Sequence, residues 1–199
     1  EGLPWFREFL RLKGGAYVDI IGYHFYVHPQ PPEAMIELIG KVKEEMRIAG
    51  IASRPLWDTE AGWAYPKLFP SADLAADYVA RAYLVNWAGG VGGVVWYAWG
   101  NEGWVSLTVS KRDSGKPTSA GLALGTIYRW LVGSIVEMCD ISDSRVSWCK
   151  MQRQDRTTYI VWSVSGDKQW SFPQGLTFKT AESLLGTPEP IKGHRISVG

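Results

Sequence analysis

Charge imbalance, long apolar runs and cysteine are all scarce in this chain, and each scarcity removes a class of partner. Twenty-one Lys and Arg against 20 Asp and Glu leave a formal net charge of +1 over 199 residues. With no basic run and no aromatic-basic interleaving, nucleic acid and anionic membrane surfaces have no footprint here. Apolar stretches are broken by Gly or charge well short of the roughly 20 residues needed to cross a bilayer. The two Cys and three His show no metal-ligand spacing, so neither metal nor cofactor is expected. Cys139 and Cys149 lie symmetrically about position 144 in a hairpin-like stretch. A disulfide and a pair of buried thiols both fit that placement, and the pair does not decide the redox compartment. No signal peptide is visible. The chain opens on Glu1-Gly2 and stops at Ile196-Ser-Val-Gly199 as a strand is forming, so both ends are expected to be cut.

What the chain has in excess is aromatic: 11 Trp and nine Tyr. Such side chains suit a ligand with apolar faces and polar edges, as sugars have, although any single Trp is as readily a core residue.

The hydrophobic pattern alternates between helix and strand. Pro4 to Leu12 reads as a helix end stopped by Gly14-Gly15, and Tyr17 to Tyr26 as a strand closing at Pro29. A helix begins at Pro32, shows one face as Met35, Leu38, Ile39, Val42, Met46 and Ala49, and ends at Gly50. Strand 54–60 follows, then a Ser71-capped helix over 72–88, then a nearly all-apolar strand Val91 to Ala98. After a polar loop (100–117), Thr118 or Ser119 caps a last helix ending near Gly133. Repeated strand-helix units imply an α/β fold with parallel strands. Three units span about 130 residues, whereas a complete eightfold barrel needs roughly 250. A small doubly wound sheet is the alternative, but no Gly-x-Gly-x-x-Gly follows any strand, and side chains with chemistry follow all three. That distribution favours the C-terminal part of a (β/α)8 TIM barrel over 1–134. From about 135 the chain turns to short alternating runs near 146–150, 158–164, 168–172, 176–178 and 196–198. These predict a small antiparallel β domain over 135–199, sandwich-like and truncated at its end.

The C-terminal ends of parallel strands are where such folds do chemistry. The first ends Gly22-Tyr-His-Phe-Tyr-Val-His-Pro29, and strict alternation puts Gly22, His24 and Tyr26 on one face, at the mouth of the barrel. The second, Pro55-Leu-Trp-Asp-Thr-Glu-Ala-Gly-Trp63, puts Asp58 and Glu60 on one face with Glu60 nearer the opening. The third supplies Trp96. His28 lies in a loop near that mouth, and Trp63, Trp99 and Trp104 fall in loops over the same end as candidate sugar platforms. Bland alternatives exist for each: Glu60 paired with Arg54, His24 as a satisfied core histidine, Asp58 as a structural acid inside the barrel.

The succession Gly-x-His-x-Tyr, Trp-x-Thr-Glu-x-Gly, then Val-Trp resembles strands six, seven and eight of the clan A retaining glycoside hydrolases, (β/α)8 enzymes that include families 5 and 39. Pro117-Thr-Ser-Ala-Gly-Leu-Ala-Leu, Trp130-Leu-Val-Gly133 and Tyr159-Ile-Val-Trp162 are similar to bacterial members carrying a small C-terminal β module. The resemblance implies a carbohydrate substrate, Glu60 as catalytic nucleophile and Tyr26 as its hydrogen-bond partner. It also implies His24 as a sugar or acid/base contact and Trp96 as the platform beneath the sugar. The clan's acid/base Glu follows an Asn on strand four, which these residues do not include; Asn101-Glu102 has the letters but comes after the last strand. On that basis the chain alone is expected to be inactive. A metal-dependent barrel hydrolase using His24, His28 and Asp58, and a non-catalytic carbohydrate-binding module, are the competing functions.

Overall fold

The computed structural model describes residues 2–63, 71–100, 107–142, 145–191 and 193–199. The chain is a mixed α/β protein. A three-stranded parallel sheet is built from β1 (Ile21–Tyr23), β2 (Leu56–Ala61) and β3 (Gly93–Trp96) in that order. Helices α1 (Gly2–Arg11), α2 (Met35–Ile48), α3 (Ala72–Ala88) and α4 (Ser119–Leu131) accompany it. Beyond them, β4 (Ile135–Asp140), β5 (Val146–Arg153) and β6 (Arg156–Ser163) form an antiparallel sheet, and β7 (Lys168–Ser171) pairs antiparallel with β8 (Arg195–Val198).

Each helix buries a stripe that its sequence supplies. In α2 the buried set is Met35, Ile39, Val42 and Met46, spaced at three, four and seven residues. Ser71 caps α3, its hydroxyl accepting from Leu74 N–H at 3.1 Å, and Thr118 caps α4 through Gly121 N–H at 3.1 Å. Helix α3 is apolar nearly all round because it is covered on two sides. Val79, Ala82 and Val85 join the core with Ile21, Phe25, Ile39 and Leu56, whereas Ala80 and Leu84 pack with Ile127, Met151, Ile160 and Trp162.

A buried ion pair fixes that second contact. Arg81 on α3 donates through Nε and Nη2 to the two oxygens of Glu33 at 2.8 and 2.6 Å, and Trp162 on β6 donates its indole N–H to Glu33 Oε1 at 2.8 Å. A bidentate fork satisfies both charges in place of water.

Two expectations are corrected, and one that was left open is decided. Gly14–Tyr17 is a single 3-10 turn with Tyr17 exposed, so the first strand is only three residues long and starts at Ile21. Leu176 to Phe178 is not a strand; the Phe178 ring instead packs against Tyr159, Trp170 and Phe172. Cys139 and Cys149 are directly opposed on β4 and β5 and are joined as a disulfide.

Candidate functional site

Parallel pairing brings the C-terminal ends of β1 and β2 side by side, in the register Ile21 with Leu56, Gly22 with Trp57 and Tyr23 with Asp58. Past Tyr23 the first strand leaves regular pairing, and β2 shifts register against β3 between Asp58 and Ala61. The twofold alternation holds through Leu56, Asp58 and Glu60, which are buried or half-buried, with Trp57 and Thr59 exposed between them. Asp58 is fully buried on the helix-packed side, where Asn86 of α3 donates to its Oδ2 at 3.0 Å. Glu60 is half-buried and turns toward Tyr26.

The Tyr26 hydroxyl donates to Glu60 Oε1 at 2.7 Å, from a residue 34 positions away in the chain. Burial, and then the adjacent Glu60 carboxylate, push the Tyr26 hydroxyl well above its ordinary value of 10.0. Tyr26 therefore keeps its proton as a donor across the physiological range. Arg54, the bland partner for Glu60, instead lies 3.7 Å from Asp19.

Around this pair the expected residues divide. His24 is exposed, its ring 6.2 Å from that of Tyr26, and His28 is half-buried with its ring 5.6 Å from Tyr26 on a near-perpendicular approach. The three rings form a ladder leading to Glu60. Trp96 is half-buried, stacks on Trp63 at 6.0 Å and on Tyr83 at 6.2 Å, and donates its indole N–H to the Leu107 carbonyl at 3.1 Å. Trp63 is corrected from an open platform to a core residue. It is 1% exposed, packed edge-on against Tyr78 and stacked on Trp96, and its indole N–H donates to Gln30 O at 3.2 Å. An apolar ring placed directly after a buried strand end gains more from closing that column than from solvent. Trp99 is 72% exposed and offers a free face. Trp104, Asn101 and Glu102 lie outside the described residues.

Gly62 follows the pair for a steric reason, since a Cβ there would run into the Tyr97 carbonyl. The close approach lets Tyr97 N–H donate to Ala61 O at 2.7 Å, so β2 and β3 stay together just past Glu60. Two residues that touch the site from behind, Asn86 and Tyr83, were not anticipated. The available signal for Asn86 was a lone amide near the end of an otherwise apolar helix, and for Tyr83 there was none. Among the described residues, no group of three His, Cys, Asp or Glu side chains comes together as a metal site.

No protein-family model matches the chain, and no curated protein matches it.

Proposed function

We propose that this chain supplies the nucleophile side of a retaining O-glycosyl hydrolase. In this reading its parallel sheet corresponds to strands six to eight of a (β/α)8 barrel, and residues 135–199 to an attached antiparallel β module. The observation that carries it is the 2.7 Å hydrogen bond from Tyr26, in the segment that follows β1, to Glu60 near the C-terminal end of the adjacent parallel strand β2. A tyrosine in that position orients one carboxylate oxygen and leaves the other to attack. The exposed Trp99 and the ring ladder of His24, Tyr26 and His28 add stacking surface of the kind a sugar uses.

The chemistry runs in two displacements. Glu60 forms a bond to the anomeric carbon as the glycosidic C–O bond breaks, and the leaving oxygen takes a proton from a second carboxyl group. That group then removes a proton from water, which attacks the same carbon and releases Glu60. The second carboxyl must lie about 5–5.5 Å from the first in a retaining enzyme. The resemblance places it after an Asn on strand four, outside these 199 residues.

The test is made in the full-length protein that carries this chain. An activated 2-deoxy-2-fluoro glycoside should label Glu60 covalently, as found by peptide mass mapping. Glu60→Gln should remove aryl glycoside hydrolysis by several orders of magnitude while leaving the fold intact. Unchanged hydrolysis in Glu60→Gln would sink the proposal.

A further inference from the structure

Asp58 lies two residues before Glu60 on β2, fully buried, and faces Asn86 of α3, which is fully buried as well. Its Oδ1 accepts from Phe25 N–H at 3.4 Å and its Oδ2 from Asn86 Nδ2 at 3.0 Å, while the Glu60 backbone N–H donates to the same carboxylate. Phe25 immediately precedes Tyr26. One side chain therefore gathers the backbone next to the tyrosine, the backbone of the glutamate, and the helix behind them.

The β1–β2 ladder ends at the pair Tyr23 and Asp58, just before the site begins. Beyond it, hydrogen bonds to the Asp58 carboxylate take over the joining of the two segments. An aspartate suits this place for a reason of valence. Both oxygens of an ionised carboxylate accept, and here both face donors; an amide would turn an NH2 group onto one of them. Among the described residues no Lys or Arg pairs with Asp58, and burial raises its carboxyl to about 6 despite the donors pulling the other way. A buried acid without a cation costs the fold stability, so its presence calls for a use elsewhere.

We infer that Asp58 is a positioning residue: by collecting the N–H groups of Phe25 and Glu60 on a carboxylate anchored to Asn86, it sets the spacing at which Tyr26 meets Glu60. This rests on the glycosidase reading above. The titratable groups facing it are His24 and Tyr26 from the segment after β1, Tyr83 from α3, and Glu60 from its own strand.

The test is Asp58→Asn in the full-length protein, with Tyr26→Phe alone and combined. Asp58→Asn should lower kcat about 10²-fold, as expected for a small misplacement of reacting groups, and leave KM within about twofold. Because Asp58 acts through the Tyr26–Glu60 contact, Tyr26→Phe should cost little more in the Asp58→Asn background. A readout independent of activity is the Glu60 side-chain carboxyl resonance in 13C NMR. Tyr26→Phe should move that resonance in the otherwise unaltered chain and leave it in place once Asp58 is Asn. Full movement in both backgrounds would overturn the inference. If Asp58→Asn does not fold, Asn86→Ser removes one donor only and should weaken the same coupling, and an undiminished coupling there would overturn it equally. Should Glu60→Gln leave hydrolysis unchanged, the glycosidase reading fails by itself, and the NMR coupling still decides the role of Asp58.

Discussion

At the scale of single residues, the site is a hydrogen-bonded acid and phenol with a second acid beneath it, and the two acids call for opposite treatments. Glu60 is half-buried and tied to Tyr26 by a bond that Tyr26→Phe would delete without changing shape. Hydrogen bonds to charged groups contribute about 1.5–3 kcal/mol, so kcat should fall roughly tenfold to a hundredfold. Steady-state kinetics on an aryl glycoside check this, and an unchanged kcat would remove Tyr26 from the mechanism. Asp58 carries a pH signature instead. Its carboxyl is raised from 3.8 to about 6, so between those values the folded chain holds a proton that the unfolded chain has released. The stability this proton contributes is complete below about pH 4 and lost as pH rises through about 6. A shift of that size corresponds to about 3 kcal/mol. Urea denaturation across this window should therefore show the unaltered chain losing stability relative to Asp58→Asn as pH rises. Parallel curves for the two proteins would show that Asp58 does not titrate in this way.

At the scale of elements, helix α3 decides how the pieces hold together. It shares one core with the parallel sheet and a second with β5 and β6, and the Glu33, Arg81 and Trp162 network crosses from the first to the second. Glu33→Gln would leave the Arg81 guanidinium buried without its counter-ion, a change that costs about 3–5 kcal/mol. Thermal melts followed by near-UV circular dichroism, where Trp162 reports, should register that loss; a melting temperature equal to the parent's would show that the network contributes nothing. The cross-strand disulfide makes a smaller contribution. Reducing it should lower stability by about 2–3 kcal/mol, read as a drop in the urea midpoint on adding reductant, and no drop would mean that β4 and β5 hold without it. Much of this layout was legible beforehand, for identifiable reasons. Buried helix faces repeat at three and four residues, so α2 announced itself through Met35, Ile39, Val42 and Met46. The placement of Tyr26 and Glu60 at one mouth followed from two strand ends and parallel pairing, and their hydrogen bond was what the family resemblance implied. What escaped was not written in regular periodicity. The turn at Gly14–Tyr17 shortened the first strand, and Trp63 closed an aromatic column rather than opening onto solvent. Pattern reasoning reads local periodicity, whereas tertiary packing decides both of these.

At the scale of the whole molecule, the parallel sheet is covered on one face only. Ile21, Phe25, Leu56 and Asp58 point into the helix layer, whereas Trp57 is 38% and Val95 53% exposed, and Gly22 and Thr59 are open beside them. Parallel sheets are normally buried on both faces, since their strands carry apolar side chains on each. β1 and β3 also leave their outer edges unpaired among the described residues. An open apolar face bounded by free strand edges is a template for association. The 199-residue chain alone should therefore self-associate in a concentration-dependent way, visible by sedimentation velocity as a rising weight-average sedimentation coefficient. Val95→Lys sets a charge on the open face at the edge strand β3, on a side chain that the helix layer does not use, and should shift the chain toward monomer with little change in melting temperature. A wild-type chain that stays monomeric throughout the concentration series would show that the face is tolerated in water. In that event the barrel correspondence proposed for the parallel sheet would lose its main physical motive, which is the need to cover Trp57 and Val95.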